Sequence, residues 1–296
     1  MKLKDYFTLG NLVAGFAAVI ALFKGSFSWA CYLIYIGYVF DVLDGPVARL
    51  TNQFDEFGGH FDTVSDYITN SIAISFIIYY AFHVNAGYHW LVAAGIGSAP
   101  FIFGTIRQAK GRVENLSYPC YWLGVPRPVA AIFYLAMLNS SMFQISVSPW
   151  REIAHATAAG LVILGSILHL SKIPFVAHHQ RRWMGFLWFG MHSFLTGSPL
   201  SALVGWLFFD WPAMVYDYVF FCLICYLVIS WTQIPYVDYL RIKAYLRGEP
   251  LIKPLVHRDN SWQSTTPADF FHVREQSWDD LQGGLEGLAS QRGATS

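Results

Sequence analysis

The chain has 296 residues, with 19 Lys or Arg against 19 Asp or Glu, so its formal charge is zero. Only 13% of the residues are charged, while 55% are hydrophobic and 18% aromatic; a soluble domain carries roughly 25% charge. This composition excludes disorder, a disulfide scaffold and a water-soluble globule, gives no reason to expect nucleic acid as a partner, and leaves an all-α polytopic membrane protein.

In chain order, apolar runs predict eight transmembrane helices at 7–23, 27–48, 62–83, 88–106, 126–143, 153–171, 183–209 and 213–236. The first follows MKLKD and has no convincing cleavage site after it, so it reads as an uncleaved helix. The seventh is interrupted by Gly197-Ser198-Pro199, where Pro199 should kink or break it. Cys222 and Cys225 lie inside the apolar run FFCLICYLVISW and read as small buried hydrophobes. Residues 237–296 are polar and read as a cytoplasmic tail, with a short helix expected near 274–289.

An even number of spans puts both termini on one side of the membrane. Of the 19 Lys and Arg, 17 then fall on that side; only Lys24 and Arg151 fall on the other. The positive-inside rule makes the rich side cytoplasmic.

The acids are distributed very differently. Eleven precede the tail, and six of them sit in one window, DVLDGPVARLTNQFDEFGGHFDTVSD, as Asp41, Asp44, Asp55, Glu56, Asp62 and Asp66. Carboxylates at membrane depth are costly and mark function. Asp41 and Asp44 are three apart and share a helix face; Asp62 and Asp66 are four apart and share another. A short connection makes the two helices antiparallel neighbours, so the four carboxylates meet across one groove. They could not all stay charged there without a cation, and oxygen-only ligands favour Mg2+ or Mn2+, or Ca2+, over zinc. Gly45 and Gly58-Gly59 let a ligand approach the backbone, and Arg49 can pair with a phosphate. Metal, arginine and glycine together suit a diphosphate. Asp55 and Glu56 read as solvated helix-end acids.

Asp41, Asp44, Gly45, Ala48, Arg49, Gly58, Asp62 and Asp66 follow the pattern D-x2-D-G-x2-A-R-x8-G-x3-D-x3-D. This resembles the signature of the CDP-alcohol phosphotransferase family, with every spacing kept. A chance match is on the order of one in a billion per start site at average residue usage. The resemblance implies a six-helix catalytic core at 1–175, with two additional helices at 176–236 and the tail at 237–296. It implies transfer of a phosphatidyl group from CDP-diacylglycerol to a small polar alcohol, with release of CMP, at the cytoplasmic face of the cell's inner membrane. It implies that Asp41, Asp44, Asp62 and Asp66 hold Mg2+ or Mn2+, that Asp66 is also the general base, and that Gly45, Ala48, Arg49 and Gly58 line the CDP-lipid pocket. It also suggests a homodimer.

Three further stretches resemble the integral-membrane phosphatidylserine synthase branch: Thr8-Leu9-Gly10-Asn11, Gly124-Val125-Pro126-Arg127-Pro128-Val129-Ala130-Ala131 and Ser171-Lys172-Ile173-Pro174. They point to L-serine as the acceptor; choline, glycerol 3-phosphate and inositol phosphate are the alternatives. The segment Arg107-Gln108-Ala109-Lys110-Gly111-Arg112 departs from that branch by lacking a Phe-Asn pair. A serine site needs a cation for the carboxylate, and Arg107 and Lys172 are the expected pair, ahead of Lys110, Arg112 and Arg127. His169, His192 and Asn70 read as helix–helix hydrogen-bonding partners. Asp217 reads as interfacial, and Tyr88, Trp90, Trp150, Trp183 and Trp211 as interface anchors. The competing class is a cation- or proton-coupled transporter, but it should show a second acid pair in the other half of the chain, and the sequence has none.

Overall fold

The computed structural model describes residues 2–51, 56–113, 117–177, 214–250 and 252, together with parts of 197–208. The chain divides into two compact units, Met1–Asp259 and Asn260–Ser296. The second lies outside the described residues, as do the helix expected near 274–289 and most of the expected seventh span.

Helices α1 (Leu3–Phe23), α2 (Phe27–Thr51), α3 (Glu56–Asn85) and α4 (Trp90–Val113) follow one another in the chain. Helices α5 (Arg127–Asn139), α6 (Trp150–Leu168), α7 (Met214–Ile229) and α8 (Tyr236–Tyr245) complete the described bundle. Among the described residues, six helices are long and apolar enough to cross a membrane: α1 to α4, α6, and α7 extended through Gln233. The protein is an all-α integral membrane protein with one small sheet.

The fifth expected span is different. Helix α5 has 13 residues, about 20 Å at 1.5 Å per residue, which is less than the roughly 30 Å of hydrocarbon. Pro126 and Pro128 set its start, and Asn139 and Ser140 end it by donating side-chain hydrogen bonds to Leu135 O at 2.8 Å and Met137 O at 2.6 Å. Residues 130–138 are all buried. This helix is a central post wrapped by the longer ones, so its apolar character serves protein packing rather than lipid contact. A hydropathy window cannot tell those two uses apart.

Close packing of α1, α2 and α3 brings the carboxylate-bearing segments together. A Cβ on Gly15 of α1 would lie 2.5 Å from Thr69 Oγ1 and 3.1 Å from its Cα, so only glycine admits this crossing. Thr69 Oγ1 donates to Asn11 O at 3.2 Å, and Ser65 Oγ donates to Thr8 O at 3.0 Å. The third helix is not uniform. Residues Ile68–Ala73 widen into a π-helical stretch immediately after Asp66, a feature frequent at functional sites. Thr69, Asn70 and Ser71 are consecutively buried there.

A three-stranded antiparallel sheet caps one end of the bundle: β1 (Ser117–Tyr118), β2 (Tyr121–Leu123) and β3 (Pro174–Val176), in that order. Tyr121 pairs with Val176, and Leu123 with Pro174. Helix α8 packs on this sheet, with Ile242 joining Tyr118, Tyr121, Leu123 and Val176 in a small apolar cluster. Tyr121 donates its phenol proton to buried Asp238 Oδ2 at 2.9 Å. Burial and the neighbouring carboxylate push the Tyr121 phenol upward, and burial pushes Tyr118 up to about 12, so both stay protonated donors. Tyr118 OH donates to Ile252 O. Residues 237–250, expected to begin the polar cytoplasmic tail, therefore include most of a helix bound to the sheet.

Candidate active site and metal centre

Asp41 and Asp44 lie on the last turns of α2; Asp62 and Asp66 lie on the first turns of α3. The structure brings all four together. Carboxylate oxygens of Asp41, Asp62 and Asp66 lie within 4.8 Å of one another. Asp44 and Asp62 interact directly through their carboxyl groups, as do Asp41 and Asp66. Asp62 Oδ1 is buried and has no hydrogen-bond partner. A buried carboxylate oxygen without a donor is costly unless a cation takes it. The all-oxygen donor set and this orphaned atom fit a hard divalent cation.

The remaining predicted residues divide. Gly45 follows Asp44 directly, and Ala48 and Gly58 are buried. The Arg49 side chain lies outside the described residues, as does Asp55. Glu56 is 90% exposed and pairs with His60 at 3.7 Å, in keeping with a solvated helix-end acid.

Helix α1 supplies a wall that the acidic motif does not reveal. Thr8 Oγ1 donates to Asp44 Oδ2 at 3.2 Å, and Asn11 Nδ2 donates to Asp66 Oδ1 at 3.2 Å. Lys4 is close enough to act electrostatically on Asp62. Lys4, Thr8, Asn11 and Gly15 recur at steps of four, three and four, which places them on one helix face. That polar stripe on an otherwise apolar helix was the available signal. Asn70 is not a generic helix–helix partner: its Nδ2 donates to Asp66 Oδ1 at 3.1 Å. Both amides use the same oxygen, so Asp66 Oδ2 is left to the other carboxylates, to a metal or to a proton.

Of the expected acceptor pair, Arg107 is engaged by backbone carbonyls. Arg107 Nη1 donates to Leu123 O and to His169 O, each at 2.7 Å. It fastens the β2–α5 loop to the end of α6. His169 Nδ1 donates to Val125 O at 2.7 Å, and Gly124 N donates to Ile173 O at 2.8 Å. Gly124 has φ +76, and a Cβ there would lie 2.6 Å from Arg107 Nη1 and 2.7 Å from Ser171 O, so the latch requires glycine twice over. The Gly124–Ala131 and Ser171–Pro174 stretches, far apart in the chain, thus lie side by side. Lys172 is exposed on the outer side of this latch.

Arg127 reaches the acids, as Lys4 does. It opens α5, acts electrostatically on Asp66, Asp62 and Asp41, and lies with its guanidinium carbon 5.8 Å from the Tyr67 ring centroid. Its Nη1 is buried without a hydrogen-bond partner. Asp217 is bound to protein: it accepts from Ser141 N at 2.8 Å and Ser141 Oγ at 2.6 Å. Tyr88 is half-buried, whereas Trp90 and Trp150 are exposed, as interface anchors require. His192, Trp183 and Trp211 lie outside the described residues.

Comparison with known proteins identifies the family. The family described as CDP-alcohol phosphatidyltransferase matches residues 1–164. A CDP-diacylglycerol–serine O-phosphatidyltransferase of Helicobacter pylori (strain ATCC 700392 / 26695) is 34% identical over 204 residues, covering 67% of this chain and 83% of the relative. The Methanocaldococcus jannaschii protein of the same name is 30% identical over 207 residues, covering 69% and 88%. An archaetidylinositol phosphate synthase of Aeropyrum pernix is 29% identical over 179 residues, covering 60% and 84%. The protein is a membrane-embedded transferase of phospholipid biosynthesis, and the chain belongs to the CDP-alcohol phosphatidyltransferase family.

Proposed function

We propose that the protein transfers the phosphatidyl group of CDP-diacylglycerol to the hydroxyl of L-serine, at the cytoplasmic face of the inner membrane. The observation that carries this reading is the cluster of carboxylate oxygens of Asp41, Asp62 and Asp66 within 4.8 Å of one another, with a buried unpartnered oxygen on Asp62. Serine as acceptor is supported by the names of the Helicobacter and Methanocaldococcus relatives. The cytoplasmic orientation is supported by the 17-to-2 division of Lys and Arg.

Asp41, Asp44, Asp62 and Asp66 would hold Mg2+ or Mn2+. Bound there, the ion neutralises the diphosphate and stabilises the CMP leaving group. The chain's own groups do the rest. Thr8 orients Asp44, and Asn11 and Asn70 hold Asp66 by one oxygen so that the other faces the reacting hydroxyl. Asp66 takes the hydroxyl proton. The serine oxygen forms a bond to the lipid-bearing phosphorus, the bond from that phosphorus to the bridging oxygen breaks, and CMP leaves with that oxygen. Gly45, Ala48, Arg49 and Gly58 line the CDP-lipid side.

The test incubates the purified protein with CDP-diacylglycerol, Mn2+ or Mg2+, and each candidate alcohol in turn, and follows CMP release. Serine-dependent CMP is expected. Release with inositol phosphate or glycerol 3-phosphate alone would overturn serine as acceptor, and no release with any alcohol would overturn the reaction.

A further inference from the structure

Helix α8 stands outside the membrane spans, yet the chain holds it close to the bilayer. Spans end at the sheet on which it packs. β1 starts at Ser117, soon after α4 ends at Val113, and β3 starts at Pro174, soon after α6 ends at Leu168. The end of the α7 span is bonded to β3 itself: Val176 N donates to Ser230 Oγ at 2.9 Å, and Tyr226 OH donates to Val176 O at 3.0 Å. That span runs through Gln233, and α8 begins at Tyr236. Only Ile234 and Pro235 connect them, so the first turn of α8 lies within about 11 Å of the span end, the reach of three extended residues. That distance is at or beside the headgroup layer.

The helix has two faces. Asp238 and Ile242 are buried on the sheet side, where Asp238 accepts from Tyr121 and pairs with Arg241 at 3.6 Å. Tyr236, Leu240, Lys243 and Arg247 recur at steps of four, three and four, which places them on the opposite face, with Tyr239 at its edge. All five are exposed, Tyr236 to 73%. Trp231, in the turn that closes the α7 span, is 56% exposed. Outside the spans, a contiguous patch of Trp, Tyr and Leu needs a partner. Among the described residues Lys243 and Arg247 have no acidic partner, and Glu249 is the exposed acid beside them, so this face carries net positive charge.

We propose that the outward face of α8 docks on the bilayer surface at this end of the bundle and binds anionic phospholipid headgroups. Trp231, Tyr236 and Leu240 enter the headgroup layer, and Lys243 and Arg247 pair with lipid phosphates. The order of residues favours a membrane over a protein as the occupant. The aromatic and apolar groups stand nearest the span end, and the cations follow, which is the arrangement of a helix lying in the interface of a negatively charged leaflet. The sheet-side bonds of Asp238 hold the helix in place for this contact. The assignment goes beyond the transferase reading and does not depend on the acceptor alcohol.

The test is amide hydrogen exchange on the full chain in nanodiscs holding one copy each. The discs contain phosphatidylcholine alone, or phosphatidylcholine with about one-third phosphatidylglycerol, and the peptides covering 236–247 are followed. Exchange there should be about tenfold slower in the anionic discs, the effect of two basic residues at an anionic surface, and the difference should fall below about twofold at high salt. Lys243→Gln/Arg247→Gln should exchange alike in both discs, while its sheet peptides match the wild type and show that the fold is kept. Leu240→Glu, which retains both cations, should speed exchange in both discs. Equal exchange of the wild type in the two discs overturns the proposal, as does a difference that survives in the double variant. Salt-sensitive protection that ignores lipid charge assigns the face to the polar residues 253–296 and overturns it too. Protection that appears only with two copies per disc assigns the face to a second copy, with the same result. CMP release plays no part in this readout, so failure of the transferase reading leaves it intact.

Discussion

The sheet cap and the acidic hairpin treat buried polar groups in opposite ways. At the sheet cap, polar groups are matched within the protein: Tyr121 with Asp238, Val176 N with Ser230 Oγ, Tyr226 OH with Val176 O, and Arg107 with two carbonyls. Around the acidic hairpin, Asp62, Asn11, Asn70, Ser71 and Arg127 each keep a buried atom without a partner. A support can close its hydrogen bonds on itself. A binding centre cannot, because its partners arrive with the substrate. Orphaned atoms therefore cluster at this centre, although Tyr35 OH and Ser75 Oγ deeper in the bundle are orphaned too.

The contrast can be broken most severely at the base. Asp66→Asn should lower CMP release by about 10²- to 10⁴-fold, the range for a general acid–base group, with little loss of thermal stability in detergent. Retained turnover would remove Asp66 from that role. Asp62→Asn tests the orphaned oxygen by a readout independent of turnover. Mn2+ should raise the melting temperature of the wild type and not that of the variant, and an equal shift in both would take Asp62 out of the metal site.

The cap should respond in the reverse sense. Tyr121→Phe leaves Asp238 Oδ2 without its phenol donor and should cost about 1–3 kcal/mol of stability, with both KM values unchanged. Arg107→Gln should likewise lower the melting temperature while the KM for serine stays within about twofold; a KM raised about tenfold or more would place Arg107 in the acceptor site. The smallest effect is expected at exposed Lys172, where Lys172→Gln should change the KM for serine by less than about twofold, as distant rim charges do.

These contrasts also explain what the sequence could disclose. The acidic hairpin was legible because its spacing is local: three and four residues place each pair on one face, and a short loop joins the faces. The number of long apolar helices was nearly legible for the same reason. Asn11 and Asn70 were harder, because a lone amide in an apolar run gains its meaning only from Asp66, which for Asn11 lies on another helix. Arg107 and Arg127 could not be ranked at all. Both are arginines near span ends, and the difference between them is that two backbone carbonyls, one of them more than 60 positions away in the chain, have claimed Arg107. Helix α5 misled because the interior of a bundle is as apolar as its lipid-facing surface.

The latch at Arg107 has an electrical consequence. Its hydrogen-bond acceptors are carbonyl oxygens, which carry no net charge, so the guanidinium is satisfied without being neutralised. The full positive charge persists beside that of Arg127, in surroundings where water screens little. Across the groove stand four carboxylates. The result is a steep gradient of potential between the two walls, positive toward α4 and α5 and negative toward α2 and α3. A dipolar molecule entering between these walls would be turned by this field before touching either one, its anionic end leading toward the arginines.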